Sequence, residues 1–203
     1  MQILIINQYT TNKGDRAILY FILRELVRIG IRTVTVSASQ PQRCDSSWLP
    51  NGISVRFVPW GWNINISEKK RKKLRFKIIH RLNFWYHRSL AFCLIRKSII
   101  KGKYRLPIRF LCNRHFWRAA KEADVVISTG GHHLTSLNAS NAECPQTYDM
   151  ALVSLLKKRF LLWSQSIGPI LCRNESTKDM IRKIIASTER IYIRDEQSMA
   201  ELV

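Results

Sequence analysis

The sequence predicts a doubly wound, mostly parallel α/β fold, and three observations predict it. Short runs that are apolar nearly throughout recur at Ile3 to Ile6, Asp124 to Ser128 and Phe160 to Ser164. Between such runs lie stretches of about ten to fifteen residues with apolar side chains at helical spacing. Each run is followed by a polar turn, often with glycine. A strand that is apolar on both faces must be covered on both faces, the environment of a parallel sheet between two layers of helix. A chain of 203 residues with 46% apolar content suits one such domain, spanning 1–203.

The elements follow in order. Ile3-Leu4-Ile5-Ile6 is a strand, and Ala17, Ile18, Phe21, Ile22, Leu26 and Val27 form the apolar stripe of a helix that Gly30 ends. Thr33 to Val36 and Ile53 to Val58 are β-branched or aromatic runs bounded by Gly, Pro and Ser, hence strands. Ala119 to Ala123 close a helix, Asp124 to Ser128 is a strand, and Gly130-Gly131 reads as its turn. A helix from about Tyr148 to Lys158 leads to the strand Phe160 to Ser164 and the turn at Ile167-Gly168-Pro169. The last pair is a helix from Lys178 to Ser187 and the strand Ile191 to Ile193, with a new helix opening at Asp195.

Charge is distributed unevenly over this frame. The net charge is +20, and between Lys69 and Arg118 stand 17 of the 34 Lys and Arg and none of the 14 acids. Aromatic and aliphatic residues interleave with these bases, so residues 67–113 read as a basic insertion of one or two amphipathic helices. Lys69 to Lys97 is expected to be helical and to extend from the domain with its bases solvated. An anionic partner follows from the charge, either a membrane surface or nucleic acid, and no recognition motif supports nucleic acid. The five cysteines are odd in number and lack the close spacing of structural zinc sites, which argues against a disulfide scaffold and a metal site. The N-terminus has no basic leader region, and no apolar run approaches the roughly 18 residues of a membrane span. The expected location is cytoplasmic, with peripheral attachment to the inner face of the cell membrane as the option the basic segment opens.

In a parallel sheet ligands bind beyond the carboxyl ends of the strands, so candidate site residues are sought in the four turns there. Asn12, Lys13, Gly14 and Asp15 precede the first helix. Gly14 permits a tight turn, Asp15 suits either an N-cap or a general base, and Lys13 suits contact with a phosphate or a sugar hydroxyl. Gly130 and Gly131 leave room for a ligand at the backbone, and His132 and His133 are candidates for acid–base work or hydrogen bonding. Gln165 and Gly168 frame a rigid turn after another strand. Arg194 stands at a strand-to-helix junction, placed to bind a carboxylate or phosphate through two hydrogen bonds or to pair with a nearby acid, and Ser198 follows three residues after Asp195. The G-x-G-x-x-G fingerprint of dinucleotide binding is absent, and no cofactor is expected.

Asn12-x-Gly14-Asp15-x-Ala17-Ile18, Asp124-Val-Val-Ile-Ser-x-Gly130-Gly131, Gln165-Ser-Ile-Gly-Pro169 and Tyr192-x-Arg194-Asp195-x-x-Ser198 together resemble the polysaccharide pyruvyl transferase family. The resemblance covers both ends of the chain and leaves the basic insertion outside it; His132 stands where the family often has a third small residue. It implies a transferase that moves the enolpyruvyl carbons of phosphoenolpyruvate onto two hydroxyls of a saccharide or lipid-linked glycan. The product is a pyruvate ketal on an exopolysaccharide or another glycan of the cell envelope. It also implies a GT-B-like architecture, with a second Rossmann-like domain C-terminal to Val203 that this chain does not contain. The principal acid and a further phosphoenolpyruvate contact are expected in that second domain, so the 203 residues alone are expected to be catalytically incomplete. Arg194 matches the anion clamp, Asp15 a group that accepts from the acceptor sugar or acts as base, and His132 or His133 an assisting group. Two other readings stand beside this one: a GT-B glycosyltransferase domain using a nucleotide sugar, and a non-catalytic module that binds an anionic membrane or nucleic acid.

Overall fold

The computed structural model describes residues 1–9, 12–62, 90–102, 109, 112–134, 145–169 and 175–200, the side chains of 132, 133 and 145 excepted. Its strands are β1 (Ile3–Gln8), β2 (Thr33–Ala38), β3 (Ser54–Pro59), β4 (Val125–Ser128), β5 (Gly131–Leu134), β6 (Arg159–Ile167) and β7 (Arg190–Ile193). The helices are α1 (Lys13–Arg28), α2 (residues 90–101), α3 (Arg114–Glu122), α4 (Pro145–Leu155), α5 (Glu175–Ala186) and α6 (Glu196–Ala200). Every strand pair is parallel.

Alternate residues of the apolar strands serve opposite faces. Ile3 and Ile5 of β1 pack with Val34, Val36, Val125 and Ile127 under Leu19, Ile22, Leu23 and Leu26 of α1. Leu4 and Ile6 join Val126, Phe160 and Leu162 on the other face, beneath Phe92, Phe116, Tyr148, Met180 and Ile184 from α2, α3, α4 and α5. Two covered faces explain why these strands are apolar throughout rather than alternating. The doubly wound parallel fold expected from the sequence is the one observed.

The sheet runs β3-β2-β1-β4-β6, with β7 on the far side of β6. β5 is not a separate position in this order. Val125 of β4 faces Arg159 of β6 and Gly131 of β5 faces Gln165, the same offset along both strands, so β5 continues the line of β4 after a break at Thr129 and Gly130. Gly130-Gly131 is therefore not a turn that ends a strand. The nine-residue β6 outruns β4, and the chain resumes pairing to satisfy its second half.

The basic segment differs from expectation where it is described. Residues 90–101 form the α2 helix, but it does not stand away from the domain: Phe92, Ile95 and Ile99 are core residues. Phe92 packs against Trp62 and Tyr148, with ring centroids 5.2 and 5.5 Å apart. Arg96 Nη1 donates to Thr177 Oγ1 of α5 at 3.1 Å, while Lys97 and Lys101 are exposed. Burying the apolar stripe of α2 outweighs the cost of bringing its bases close to the surface. The expectation for Lys69 to Ser89 lies outside the described residues.

The turn after β3 is sewn into the helical layer. Gly61 and Trp62 donate their backbone N–H groups to the buried Asp149 carboxyl of α4 at 3.0 and 3.2 Å, and Asn113 N donates to Gly61 O at 2.7 Å. Asn113 in turn caps α3, its Oδ1 accepting from His115 N at 2.9 Å and Phe116 N at 3.4 Å. A Cβ at Gly61 would lie 2.7 Å from Asp149 Oδ1 and from the Phe116 ring, so only glycine fits. Burial pushes the Asp149 carboxyl well above the usual carboxylate range, against the two N–H donors that pull it down.

Candidate functional site

Because all strands are parallel, the segments after Gln8, Ser128, Ile167 and Ile193 share one edge of the sheet. From β1 the chain winds outward through β2 and β3, then returns to place β4 on the other side of β1. That reversal between β1 and β4 is where sheets of this kind open a ligand crevice.

Asn7, the penultimate residue of β1, stands at the reversal with φ 68°, a left-handed conformation that asparagine tolerates better than most residues. Its Nδ2 donates to Ser128 Oγ at 3.0 Å, and Gln165 Nε2 reaches the same hydroxyl at 3.4 Å and also donates to Thr129 O. Thr129 bonds back to Ile6 O through its N–H at 3.1 Å and its Oγ1 at 3.2 Å. Asn7, Gln8, Ser128, Thr129 and Gln165 are all buried, yet Asn7 Oδ1, Gln8 Oε1 and Gln165 Oε1 accept no hydrogen bond. Asn7 and Gln8 were not among the sequence candidates, although a polar pair directly after the apolar run Ile3–Ile6 marks a strand end.

Beyond β1 the first helix is capped by Asn12 and not by Asp15. Asn12 Oδ1 accepts from Gly14 N at 2.9 Å, so α1 starts three residues earlier than an Asp15 cap requires. Asp15 sits in the first helical turn, half-buried, where desolvation raises its carboxyl above the ordinary value and a hydrogen bond with Asn12 partly offsets the rise. An acid so placed is a better proton acceptor near neutral pH than a solvated aspartate. Lys13 and Gly14 are exposed beside it.

The glycines of the second turn serve the sheet. A Cβ on Gly130 would lie 2.6 Å from Ser164 O, so the space left by its missing side chain is filled by β6 and not by a ligand. Gly131 and the backbone of His132 and His133 belong to β5, beyond the carboxyl end of β4; the two histidine side chains lie outside the described residues. Gly168 donates its N–H to Leu134 O at 3.1 Å, which ties the end of β6 to the end of β5.

A charged group closes the edge at β6 and β7. Arg194 Nε donates to Ser166 Oγ at 2.7 Å, and Ser166 Oγ donates to Asp195 Oδ2 at 2.7 Å; the direct Arg194–Asp195 approach is 3.8 Å. Asp195 caps α6, its Oδ1 accepting from Ser198 N at 2.9 Å and from Ser198 Oγ. Hydrogen bonds from Ser198 and Ser166, with a smaller contribution from Arg194, hold the Asp195 carboxyl at about 2. Ser198 is buried, and its oxygen also accepts from Ile167 N at 2.8 Å. Its hydroxyl thus joins α6 to β6. The Arg194 side chain is 37% exposed at the strand end, with the direction fixed by Ser166, a residue the sequence did not single out.

A parallel sheet covered on both faces, with polar strand-end groups gathered around a chain reversal, defines a Rossmann-like α/β domain. A polysaccharide pyruvyl transferase family model matches residues 12–202, and the chain belongs to that family, a family of transferases. The matched range includes all four motifs and runs across the basic segment. No curated protein matches the chain. Among the described residues, no helix is long and apolar enough to cross a membrane.

Proposed function

We propose that this protein acts in pyruvyl transfer from phosphoenolpyruvate to two hydroxyls of a saccharide acceptor in glycan biosynthesis, without a further cofactor. Family membership supports the reaction class, and Arg194 at the carboxyl end of the sheet is the observation that carries the assignment of the donor. Phosphoenolpyruvate presents a carboxylate and a phosphate, and a guanidinium can hold either through two parallel hydrogen bonds. Its methylene carbon takes a proton, a saccharide oxygen bonds to C2, and phosphate departs with the electron pair of its C–O bond. A second hydroxyl then bonds to C2, leaving a cyclic ketal and inorganic phosphate. Asp15, raised by burial, is assigned to accept a proton from an attacking hydroxyl, and His132 or His133 on β5 assists proton transfer.

The test is phosphate release from phosphoenolpyruvate that depends on added saccharide, with the ketal product identified by mass spectrometry. Consumption of a nucleotide sugar with no reaction of phosphoenolpyruvate would favour a glycosyltransferase instead. A second reading concerns place rather than chemistry: exposed Lys97, Lys101, Arg114, Arg118 and Lys121 on α2 and α3 favour peripheral attachment to an anionic membrane, where a lipid-linked glycan would be at hand. Vesicle co-sedimentation that neither requires anionic lipid nor weakens with salt would remove that reading.

A further inference from the structure

Two buried amides converge on one hydroxyl where the strand order reverses. Asn7 Nδ2 and Gln165 Nε2 both approach Ser128 Oγ, at 3.0 and 3.4 Å. The nitrogen and oxygen of a carboxamide are about 2.3 Å apart, so both amide oxygens lie within roughly 6 Å of that hydroxyl. Among the described residues neither oxygen has a donor, and Gln8 Oε1, one residue from Asn7, has none either. Gln165 cannot be relieved by exchanging its amide ends, because its nitrogen donates to the Thr129 carbonyl, which can only accept. The same holds for Gln8, whose Nε2 donates to the Tyr9 carbonyl at 3.0 Å. Buried acceptors left open in a native fold are costly, and such cost concentrates where a partner arrives from outside.

We propose that Asn7 and Gln165 form a hydroxyl-accepting subsite at the reversal, which takes a hydroxyl of the acceptor saccharide; this rests on the pyruvyl-transfer reading. The open atoms are all acceptors and carry no charge. A sugar hydroxyl supplies the protons they lack, whereas the carboxylate and phosphate of phosphoenolpyruvate bring only more acceptors and meet carbonyl dipoles of the wrong sign. The anion belongs at Arg194, beyond β7 and on the other side of β6. Acceptor and donor are thereby assigned to different strand ends of one edge. The amide oxygens are closed to bulk solvent, so an internal water is the competing occupant.

The test uses the full chain, with the methyl pyranosides of glucose, galactose and mannose and with phosphoenolpyruvate as probes, read by saturation-transfer NMR and calorimetry. Asn7→Gly keeps the left-handed backbone, and Gln165→Met keeps the length of the side chain; both remove the amide. At least one pyranoside is expected to bind the wild type, each variant is expected to weaken it about tenfold or more, and phosphoenolpyruvate affinity is expected to stay within about twofold. A monodeoxy series of the binding pyranoside adds a readout that a purely structural role would not move. One deoxy position is expected to cost the wild type about tenfold and to cost Asn7→Gly nothing, since hydroxyl and amide are partners. Should Asn7→Gly fail to fold, Gln165→Met decides on the same comparison. Unchanged saccharide affinity in the variants, a loss shared equally by phosphoenolpyruvate, or a bound sugar elsewhere with only water at the amides would each overturn the subsite. Phosphoenolpyruvate binding with no pyranoside bound overturns the subsite and leaves the donor assignment standing, while binding of neither overturns both.

Discussion

The two ends of the ligand edge are built from opposite materials. At the β1/β4 reversal, Asn7, Gln8, Ser128 and Gln165 are neutral and buried, and the amides of Asn7 and Gln165 meet on the Ser128 hydroxyl. At the β6/β7 corner, Arg194 and Asp195 are charged and more than a third exposed, with a serine between them. The first end offers directed hydrogen-bonding groups in a dry place, the second offers charge at a wet one. On the proposed reading, specificity for shape and hydroxyl pattern belongs to the reversal, and capture of an anion belongs to the corner.

The comparison breaks most severely at Gly130. Replacing it with alanine drives a Cβ to 2.6 Å from the Ser164 backbone oxygen, so β4 and β6 must separate beside the neutral end. We expect a loss of about 3 kcal/mol or more, read as a lowered denaturant midpoint. Arg194→Ala strikes the charged end: phosphoenolpyruvate affinity is expected to fall about 10- to 150-fold, and Arg194→Lys to lose less because it keeps the charge but not the fork. Calorimetric titration of both variants checks this, and a thermal melt separates it from an effect on folding. Unchanged affinity in a folded Arg194→Ala protein would take the residue out of the site.

Smaller effects sharpen the contrast. Asn12→Ala removes the α1 cap and is expected to cost about 1 kcal/mol, whereas Asp15→Asn, which leaves the cap intact, should cost less; chemical denaturation of the pair measures the difference. The pH dependence should also run in opposite directions for the two perturbed acids. Asp149 is raised in the folded state, so its ionisation opposes folding: stability falls as pH climbs from 3.8 toward its folded value, and Asp149→Asn should flatten that slope. Asp195 is lowered to about 2, so its stabilisation is present above 3.8 and is lost as pH falls through the interval to about 2. Melting temperatures across an acid series on wild type, Asp149→Asn and Asp195→Asn resolve the two limbs.

Much of this arrangement was legible without coordinates. Ile3–Ile6 and Val125–Ile127 announce strands covered on both faces because no polar residue interrupts them, and Arg194-Asp195 announces a junction because an apolar run ends where a capping residue begins. What stayed hidden depends on partners distant in the chain or on choices between similar neighbours. Gly130-Gly131 has the chemistry of a turn, and only the length of β6, set some thirty residues later, makes it a strand break. Asn12 and Asp15 are both good caps, and nothing local decides between them. Ser198 has the spacing of a site residue, but Ile167 N and Asp195 claim its oxygen. The bases around Phe92, Ile95 and Ile99 suggested a solvated helix, although the spacing of those three was that of a core-facing stripe.

The anchoring of α2 has a consequence for how this chain can change. Trp62 and Phe92 pack with ring centroids 5.2 Å apart, so the described residues on either side of 63–89 meet in one place. Both points are held by the domain's own packing, by Tyr148 beside both rings and by Asp149 bonded to the Gly61 and Trp62 N–H groups. For a chain segment whose flanking residues already meet, the closure entropy grows only with the logarithm of length, about 0.6 kcal/mol for each doubling. A shorter linker, a tag or another module spliced between Trp62 and residue 90 would therefore meet a frame that already holds both cut ends together.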